Sequence, residues 1–210
     1  MILFENMVCH EDMSFADYLQ LPGVGHSFLK HAKNGIVEDF AISEKMQIGS
    51  IVDGILTDNG GHNYFNHPLY AAALSIAAKI QSDFGTYLRF FKKQVSYHGT
   101  AKCTDTGFSL AITGRLDYLL TNIAVIDLKV TDAGAKSNPV KSLLDLIEFM
   151  GYDNQLFGYG GMSGVKQYYI LIYSKPLRQT FLFKRLTDPA QLRTAELWWS
   201  SKIQEHGIYK

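Results

Sequence analysis

Residues 124–130 have the sequence AVIDLKV, an apolar run that is interrupted by Asp127 and Lys129. Such a run predicts a strand that is buried in a central sheet. Because residues i and i+2 of a strand point to the same face, the acid and the amine lie side by side, while the alternating apolar residues face the core. A buried charge is costly unless it is paired or bound to a metal, so the two charged residues need a partner of one of these kinds for an explanation. An ordinary Asp–Lys ion pair at a strand end is the simplest one.

A second acidic residue stands in the preceding apolar run. Residues 114–120 read GRLDYLL and contain Asp117. The short connection between the two runs predicts antiparallel neighbours, which would bring Asp117 close to Asp127. Two adjacent carboxylates repel each other unless a divalent cation lies between them. The backbone carbonyl of Leu128 is a natural further ligand, and Lys129 could orient or deprotonate a water or neutralise charge on a phosphate.

A third polar group follows on a predicted helix. Residues 152–159 read YDNQLFGY. On a helix, Gln155 and Tyr159 are four residues apart and share a face, and Tyr152 precedes Gln155 by three residues. An amide and phenol hydroxyls on one stripe suit a phosphate or a water beside a metal. An amphipathic helix with tyrosines at its edge is the alternative.

The remaining pattern predicts a mixed α/β (α+β) domain around one central sheet. A single domain would span residues 1–210, with a helical N-terminal part (about 1–93) that packs on a sheet core (about 94–210). Predicted helices are Ser14–Leu19, His26–Lys33 (ending at Asn34-Gly35), Ile42–Leu56 (stopped by 58–61), Leu69–Phe91, Asn138 to about Met162 with a break near Gly151, and Asp188 to about Glu205. Predicted strands are Gln94–His98, Phe108–Ile112, Gly114–Leu120, Ile123–Val130, Gln167–Tyr173 and Leu177–Leu186.

Composition excludes several protein classes. Hydrophobic residues make up 47% of the 210 residues, which excludes intrinsic disorder as the main state. The 20 basic and 20 acidic side chains balance, so any surface that binds a polyanion must be a local patch. Two widely separated cysteines exclude a disulfide framework and a Cys-rich zinc site, and they favour a reducing, intracellular setting. The N-terminal residues do not resemble a signal peptide, and no apolar stretch is long enough to span a membrane.

The combination of GRLD, DLK and YxxQxxxY resembles the PD-(D/E)xK nuclease superfamily, in its RecB-like branch. Residues 17–30, DYLQLPGVGHSFLK, are similar to the opening of exodeoxyribonuclease VIII-type phage exonucleases. Residues 49–53, GSIVD, fall where that family has a Gly-x-x-x-His helix, so that Asp53 replaces the usual histidine ligand. The resemblance covers about residues 15 to 162. It implies a restriction-endonuclease-like central mixed sheet that is flanked by helices.

The resemblance also implies a chemistry for this chain. Mg²⁺, with Mn²⁺ as a substitute, would be held by Asp53, Asp117, Asp127 and the Leu128 carbonyl. Lys129 would place a water for in-line attack on a phosphodiester, and Gln155 would position that water or the phosphate; Asp117, Asp127, Lys129 and Gln155 are therefore the expected catalytic residues. The expected DNA contacts are Arg115, Tyr159, Tyr152, Ser27 and Lys30.

The implied function is a metal-dependent deoxyribonuclease, with exonuclease action on duplex ends in phage or prophage recombination. Such a protein would act in the cytoplasm of a bacterial or phage-infected cell. A single-strand annealing recombinase as partner and a homo-oligomeric assembly also follow from the resemblance. Two other readings stay open. One is a DNA-binding accessory protein that keeps the nuclease fold with weak or no turnover, and the other is a structural protein in which Asp127 and Lys129 form an ordinary ion pair.

Overall fold

The computed structural model describes residues 1–31, 44–57 and 64–209. Its strands are β1 Ile2–His10, β2 Lys92–Cys103, β3 Phe108–Leu120, β4 Ala124–Thr131, β5 Gln167–Ser174, β6 Gln179–Arg185 and β7 Ile208–Tyr209. Its helices are α1 Phe15–Tyr18, α2 His26–His31, α3 Glu44–Thr57, α4 Tyr70–Leu88, α5 Pro139–Met150, α6 Tyr152–Ser163 and α7 Pro189–His206. The predicted helix ends at 34–35 and 58–61, and the predicted helix start at Ile42, lie outside the described residues.

The strands form one mixed sheet in the order β1-β2-β3-β4-β5-β6, and the short β7 pairs with the start of β3. Only β4 and β5, among the described strands, run parallel to each other. Parallel neighbours need a crossover connection, and helices α5 and α6 supply it. The predicted fold class, a mixed sheet that is flanked by helices, is therefore confirmed.

Alternate residues of the central strands build two cores, one on each face of the sheet. Val125 and Ile170 belong to a core that α6 and α7 cover, with Trp199 buried in it. Ile126 and Leu171 belong to a second core that α3 and α4 cover. This alternation is the one that the AVIDLKV pattern predicts. Among the described residues, no helix is both long and apolar enough to cross a bilayer.

Three predictions about elements need correction. The N-terminal part is not only helical, because β1 forms one edge of the sheet; the backbone at Asn6 has φ 55° and the register shifts between Glu5 and Val8, which hides the strand periodicity. The two strands predicted within 108–120 are one continuous strand. Gly114 does not break it, because a Cβ there would lie 2.7 Å from the sulfur of Met162, so the glycine allows close packing. The strand predicted at 94–98 extends over 92–103.

Local signals in the sequence predict three helix boundaries correctly, whereas the helix predicted over Leu69–Phe91 ends already at Leu88. The side chain of Ser14 caps α1 by accepting a hydrogen bond from the backbone of Asp17, and Asp188 caps α7 in the same way. The predicted break in the long helical region falls at Gly151, whose left-handed φ of 66° ends α5 and begins α6. This break directs the polar stripe of α6 toward β4.

Candidate active site

Strands β3 and β4 pair through three residues at their hairpin end, up to Tyr118 opposite Ile126. Asp117 and Asp127 are the next residues beyond that last pair. The Asp117 carboxylate accepts a hydrogen bond from the backbone N–H of Leu128 at 2.7 Å. The two acids therefore lie together where the hairpin pairing ends, as the sequence predicts.

Asp127 and Lys129 project to the face of the sheet opposite Ile126 and Leu128, as predicted. Their side chains form an ion pair of 2.6 Å, in which Asp127 is 1% and Lys129 22% exposed. The ring of Tyr152 lies over the amine, with 5.1 Å between Nζ and the ring centroid. Burial lowers the pKa of Lys129, but the charges of Asp127 and Asp117 outweigh that effect and raise the pKa above its usual range. Lys129 is therefore held as a cation.

A third carboxylate, that of Asp53, reaches the same place from α3. Its Oδ2 accepts a hydrogen bond from Gln94 Nε2 at 2.6 Å. Its Oδ1 is buried and has no hydrogen-bond partner among the described residues. Burial raises the pKa of Asp53 to about 6, although the charges of Lys129 and Arg115 oppose the shift. Asp53 thus offers one free, buried oxygen.

The carboxylate of Asp117 responds strongly to burial and to the other two acids. Burial, and then the charges of Asp53 and Asp127, raise the pKa of Asp117 well above its usual range. Mutual repulsion of this kind is relieved when a divalent cation binds, and carboxylate oxygens are the ligands that Mg²⁺ prefers. Nevertheless, within residues 1–31, 44–57 and 64–209, no three His, Cys, Asp or Glu side chains already converge in a geometry that would hold a metal. The carboxylate oxygens are suitable ligands for a hard cation, but each acid also contacts a protein group, which is Gln94 for Asp53, the Leu128 amide for Asp117 and Lys129 for Asp127.

Helix α6 places the predicted polar stripe beside β4. Gln155 Nε2 donates a hydrogen bond to the hydroxyl of Tyr159 at 2.6 Å, so the two residues share a face as predicted. The helix is anchored by two contacts: Arg185 binds both carboxylate oxygens of Asp153, and Trp199 donates to the Asn154 carbonyl. Tyr159 is only 7% exposed. Its position favours orienting Gln155 over touching DNA.

A cleft of about 730 Å³ opens beside the carboxylates. Asp53 and Asp117 line it, together with Arg115 and Ser27, two of the predicted DNA contacts. The other three predicted contacts, Lys30, Tyr152 and the buried Tyr159, do not line it. Lys30 donates a hydrogen bond to the Met150 carbonyl at the end of α5, and Tyr152 packs on the Lys129 amine. These geometries give Lys30 and Tyr152 structural partners within the protein.

Two features of the site are absent from the sequence predictions. Gln94 joins Asp53 to Arg115, because its Oε1 also accepts a hydrogen bond from the Arg115 guanidinium. A polar side chain at the start of an apolar strand was the available signal. The second feature is Phe15, whose ring lines the cleft. Its position in a short predicted helix carried no signal of that kind.

Comparison of the sequence with protein-family models gives no match, and a search of curated proteins gives none either. Solved structures do match by fold. A proposed exonuclease from Eubacterium rectale superposes with a TM-score of 0.61 over 81% of this chain and 68% of its own, at 22% sequence identity. A phage-related exonuclease from Haemophilus somnus 129PT gives a TM-score of 0.45 at 16% identity, over 90% and 96% of the two chains. An alkaline exonuclease from Laribacter hongkongensis gives 0.39 at 13% identity, over 90% and 91%. The first likeness shows a common fold, and the two weaker ones carry no further argument.

Proposed function

We propose that this chain is a metal-dependent deoxyribonuclease that hydrolyses phosphodiester bonds. One observation carries the proposal: Asp53, Asp117 and Asp127 lie together with the charged amine of Lys129, two of the acids lining a cleft. An acid cluster that is costly without a cation, beside an amine that is kept protonated, suits the chemistry of phosphate esters. The fold that the chain shares with a proposed exonuclease supports the same conclusion.

The site would hold Mg²⁺ or Mn²⁺ through the oxygens of Asp53, Asp117 and Asp127, with the Leu128 carbonyl as a further donor. When bound, such a cation supplies Lewis-acid activation of water and neutralises charge on the phosphate. The Oδ1 atom of Asp53 has no hydrogen-bond partner among the described residues, so it could bind a cation without first losing another contact. Asp127 would divide its charge between the cation and Lys129.

The chain's own residues supply binding and proton control. Lys129 keeps its proton, since its pKa is raised, so it would donate hydrogen bonds to a water or to a phosphate oxygen. Gln155, held by Tyr159, would orient the same water or phosphate. Arg115, which lies in the cleft and is fixed by Gln94, would bind the DNA backbone.

We extend the proposal to exonuclease action at duplex ends, with phage or prophage recombination as the process, because the motifs at residues 17–30 and 114–159 resemble enzymes of that type. A recombinase partner and a homo-oligomeric assembly remain part of this wider proposal. A second candidate is a DNA-binding protein of the same fold without turnover. It is favoured by the present pairing of Asp127 with Lys129 and of Asp117 with the Leu128 amide.

The test is digestion of end-labelled linear duplex beside a covalently closed circle, with Mg²⁺, Mn²⁺ or EDTA. Wild type is compared with Lys129→Ala and with Lys79→Ala, which breaks an exposed Lys–Asp pair on α4 as a matched control. We expect metal-dependent loss of the linear DNA, abolished by the first variant and unchanged by the second. Cutting of the circle would indicate an endonuclease.

Calorimetric titration with Mn²⁺ separates the remaining alternatives. Metal binding and DNA binding without cleavage would favour the accessory protein. Absence of metal binding and of cleavage would contradict the nuclease proposal and leave Asp127 and Lys129 as an ordinary ion pair.

A further inference from the structure

Phe15 is an exposed aromatic residue at the edge of the candidate active site. It is 60% exposed, yet its side chain lines the cleft that contains Asp53 and Asp117. Single exposed apolar residues are common on protein surfaces and need no special explanation. The position of this ring beside two candidate metal ligands, and its surroundings, distinguish it from such residues.

The Phe15 ring has one aromatic and one cationic neighbour, and most of its surface stays exposed. The Tyr18 ring lies 6.0 Å away at an interplanar angle of 26°, and the Arg115 guanidinium lies 5.5 Å from the Phe15 centroid. Arg115 is fixed in turn by Gln94. Its Nη1 is buried without a hydrogen-bond partner among the described residues. The cleft therefore combines an exposed aromatic ring with a cation whose hydrogen-bonding capacity the protein does not fully use.

This combination matches the two chemical parts of a nucleotide. Nucleobases stack on aromatic side chains whatever their sequence, and a guanidinium binds the adjoining phosphate. A base inside a duplex is already stacked on both faces and paired, and a terminal pair exposes only its outer face, so an unpaired base is the most accessible to a protein ring. An exposed phenylalanine beside Arg115 thus fits an unpaired base better than a paired one.

We propose that Phe15 is a stacking platform for an unpaired nucleobase of the DNA strand that enters the cleft, with Arg115 on the neighbouring phosphate. The inference rests on the proposed nuclease function and deepens it. It specifies the substrate class as DNA with an unpaired terminal nucleotide, such as a single-stranded extension or a frayed end. Blunt, tightly paired ends would bind more weakly.

The test uses duplexes that carry 2-aminopurine at the terminal nucleotide of a short single-stranded extension, with blunt duplexes for comparison. Affinity and 2-aminopurine quenching are measured with Ca²⁺, and cleavage is measured in parallel with Mg²⁺ and Mn²⁺. Phe15→Ala, Phe15→Leu and Phe15→Trp are compared with Phe90→Ala. Phe90 is a matched control, because it is 63% exposed, lies under the Arg89 guanidinium and does not line the cleft.

We expect Phe15→Ala to weaken binding of the extended duplex by roughly 5- to 150-fold, which is the range for loss of one stacked base. The same substitution should abolish the quenching. Phe15→Leu should behave like Phe15→Ala, Phe15→Trp like wild type, and Phe90→Ala should change nothing. An abasic terminal nucleotide should weaken wild-type binding by a similar factor and cause no further loss in Phe15→Ala.

Several results would overturn the inference. If Phe15→Leu binds DNA as tightly as wild type, Phe15 is only an apolar contact. If the abasic site and Phe15→Ala weaken binding independently, the Phe15 ring does not stack on that base. Equal losses for blunt and extended duplexes would refute the preference for unpaired ends. Failure of wild type to cleave, with stacking intact, would instead reject the nuclease function and leave the base site standing.

Discussion

The carboxylate of Asp117 accepts a hydrogen bond from the backbone N–H of Leu128, directly beyond the last paired residues of β3 and β4. The fold requires only an acceptor oxygen at this position. Binding of a cation requires the negative charge as well. The two requirements can therefore be separated by a substitution that keeps the oxygen and removes the charge.

Asp117→Asn should abolish cleavage while it stabilises the metal-free protein. The amide oxygen of the variant can still accept the hydrogen bond from Leu128. The substitution removes a carboxyl group whose charged form is disfavoured, since burial and neighbouring carboxylates raise its pKa. We expect the metal-free melting temperature at pH 8 to rise by about 3 °C, which is about 1 kcal/mol for a chain of this size. Thermal unfolding in EDTA measures this change. Asp12→Asn, at an exposed aspartate, is the control, and a lower melting temperature for Asp117→Asn would contradict the prediction.

Lys129→Met should destabilise the protein, because it leaves the buried Asp127 without its partner. Loss of one partner from a buried pair costs about 3 to 5 kcal/mol, and the partial exposure of Lys129 favours the lower figure. The double variant Asp127→Asn/Lys129→Met should recover most of that loss, since no unpaired charge remains. Urea unfolding measures both variants. Equal stability of the single and the double variant would show that the pair is not coupled.

Much of this site follows from the period of one strand. Alternation in AVIDLKV places Asp127 and Lys129 on one face, and a short connection brings Asp117 to the next strand. The Gly151 break and the spacing of four residues place Gln155 beside Tyr159. These features are local, so the sequence carries them directly.

Features that depend on contacts between distant residues could not be predicted in the same way. Gln94 has a positive φ of 53° and joins Asp53, 41 residues earlier, to Arg115. The strand β1 is hidden by its irregular register at Asn6. Lys30 has the expected charge for DNA, but its partner at Met150 lies 120 residues away. No short-range pattern encodes such pairings.

The pH dependence of stability that Asp53 causes should weaken when metal is added. The pKa of Asp53 is raised to about 6 in the folded state, so the folded protein binds a proton that the unfolded chain releases. Stability from this group is therefore present at low pH and is lost as the pH rises through 6. Because a cation competes with that proton, the stabilisation by Mn²⁺ should grow over the same range.

Thermal unfolding between pH 4 and pH 7, with EDTA or with Mn²⁺, measures this dependence. Asp53→Asn is the matched variant, because an amide can still bind Gln94 but does not titrate. The difference between wild type and Asp53→Asn should shrink as the pH falls below 6 in EDTA. A difference that is constant across this range would contradict the assignment of the shift to Asp53.

Tyr159→Phe should impair catalysis through Gln155 without loss of metal binding. The substitution removes the hydroxyl that accepts from Gln155 Nε2, so the amide is free to rotate. We expect cleavage to fall roughly tenfold, the effect of one hydrogen bond of about 1.4 kcal/mol. Cleavage by Gln155→Ala should be lower still, and adding Tyr159→Phe to that variant should cause no further loss of cleavage. Tyr169→Phe is the matched control, since it breaks a similar hydrogen bond to Gln167 on the exposed surface of β5. Additive effects of the two substitutions would mean that Tyr159 acts independently of Gln155, through packing against the sheet.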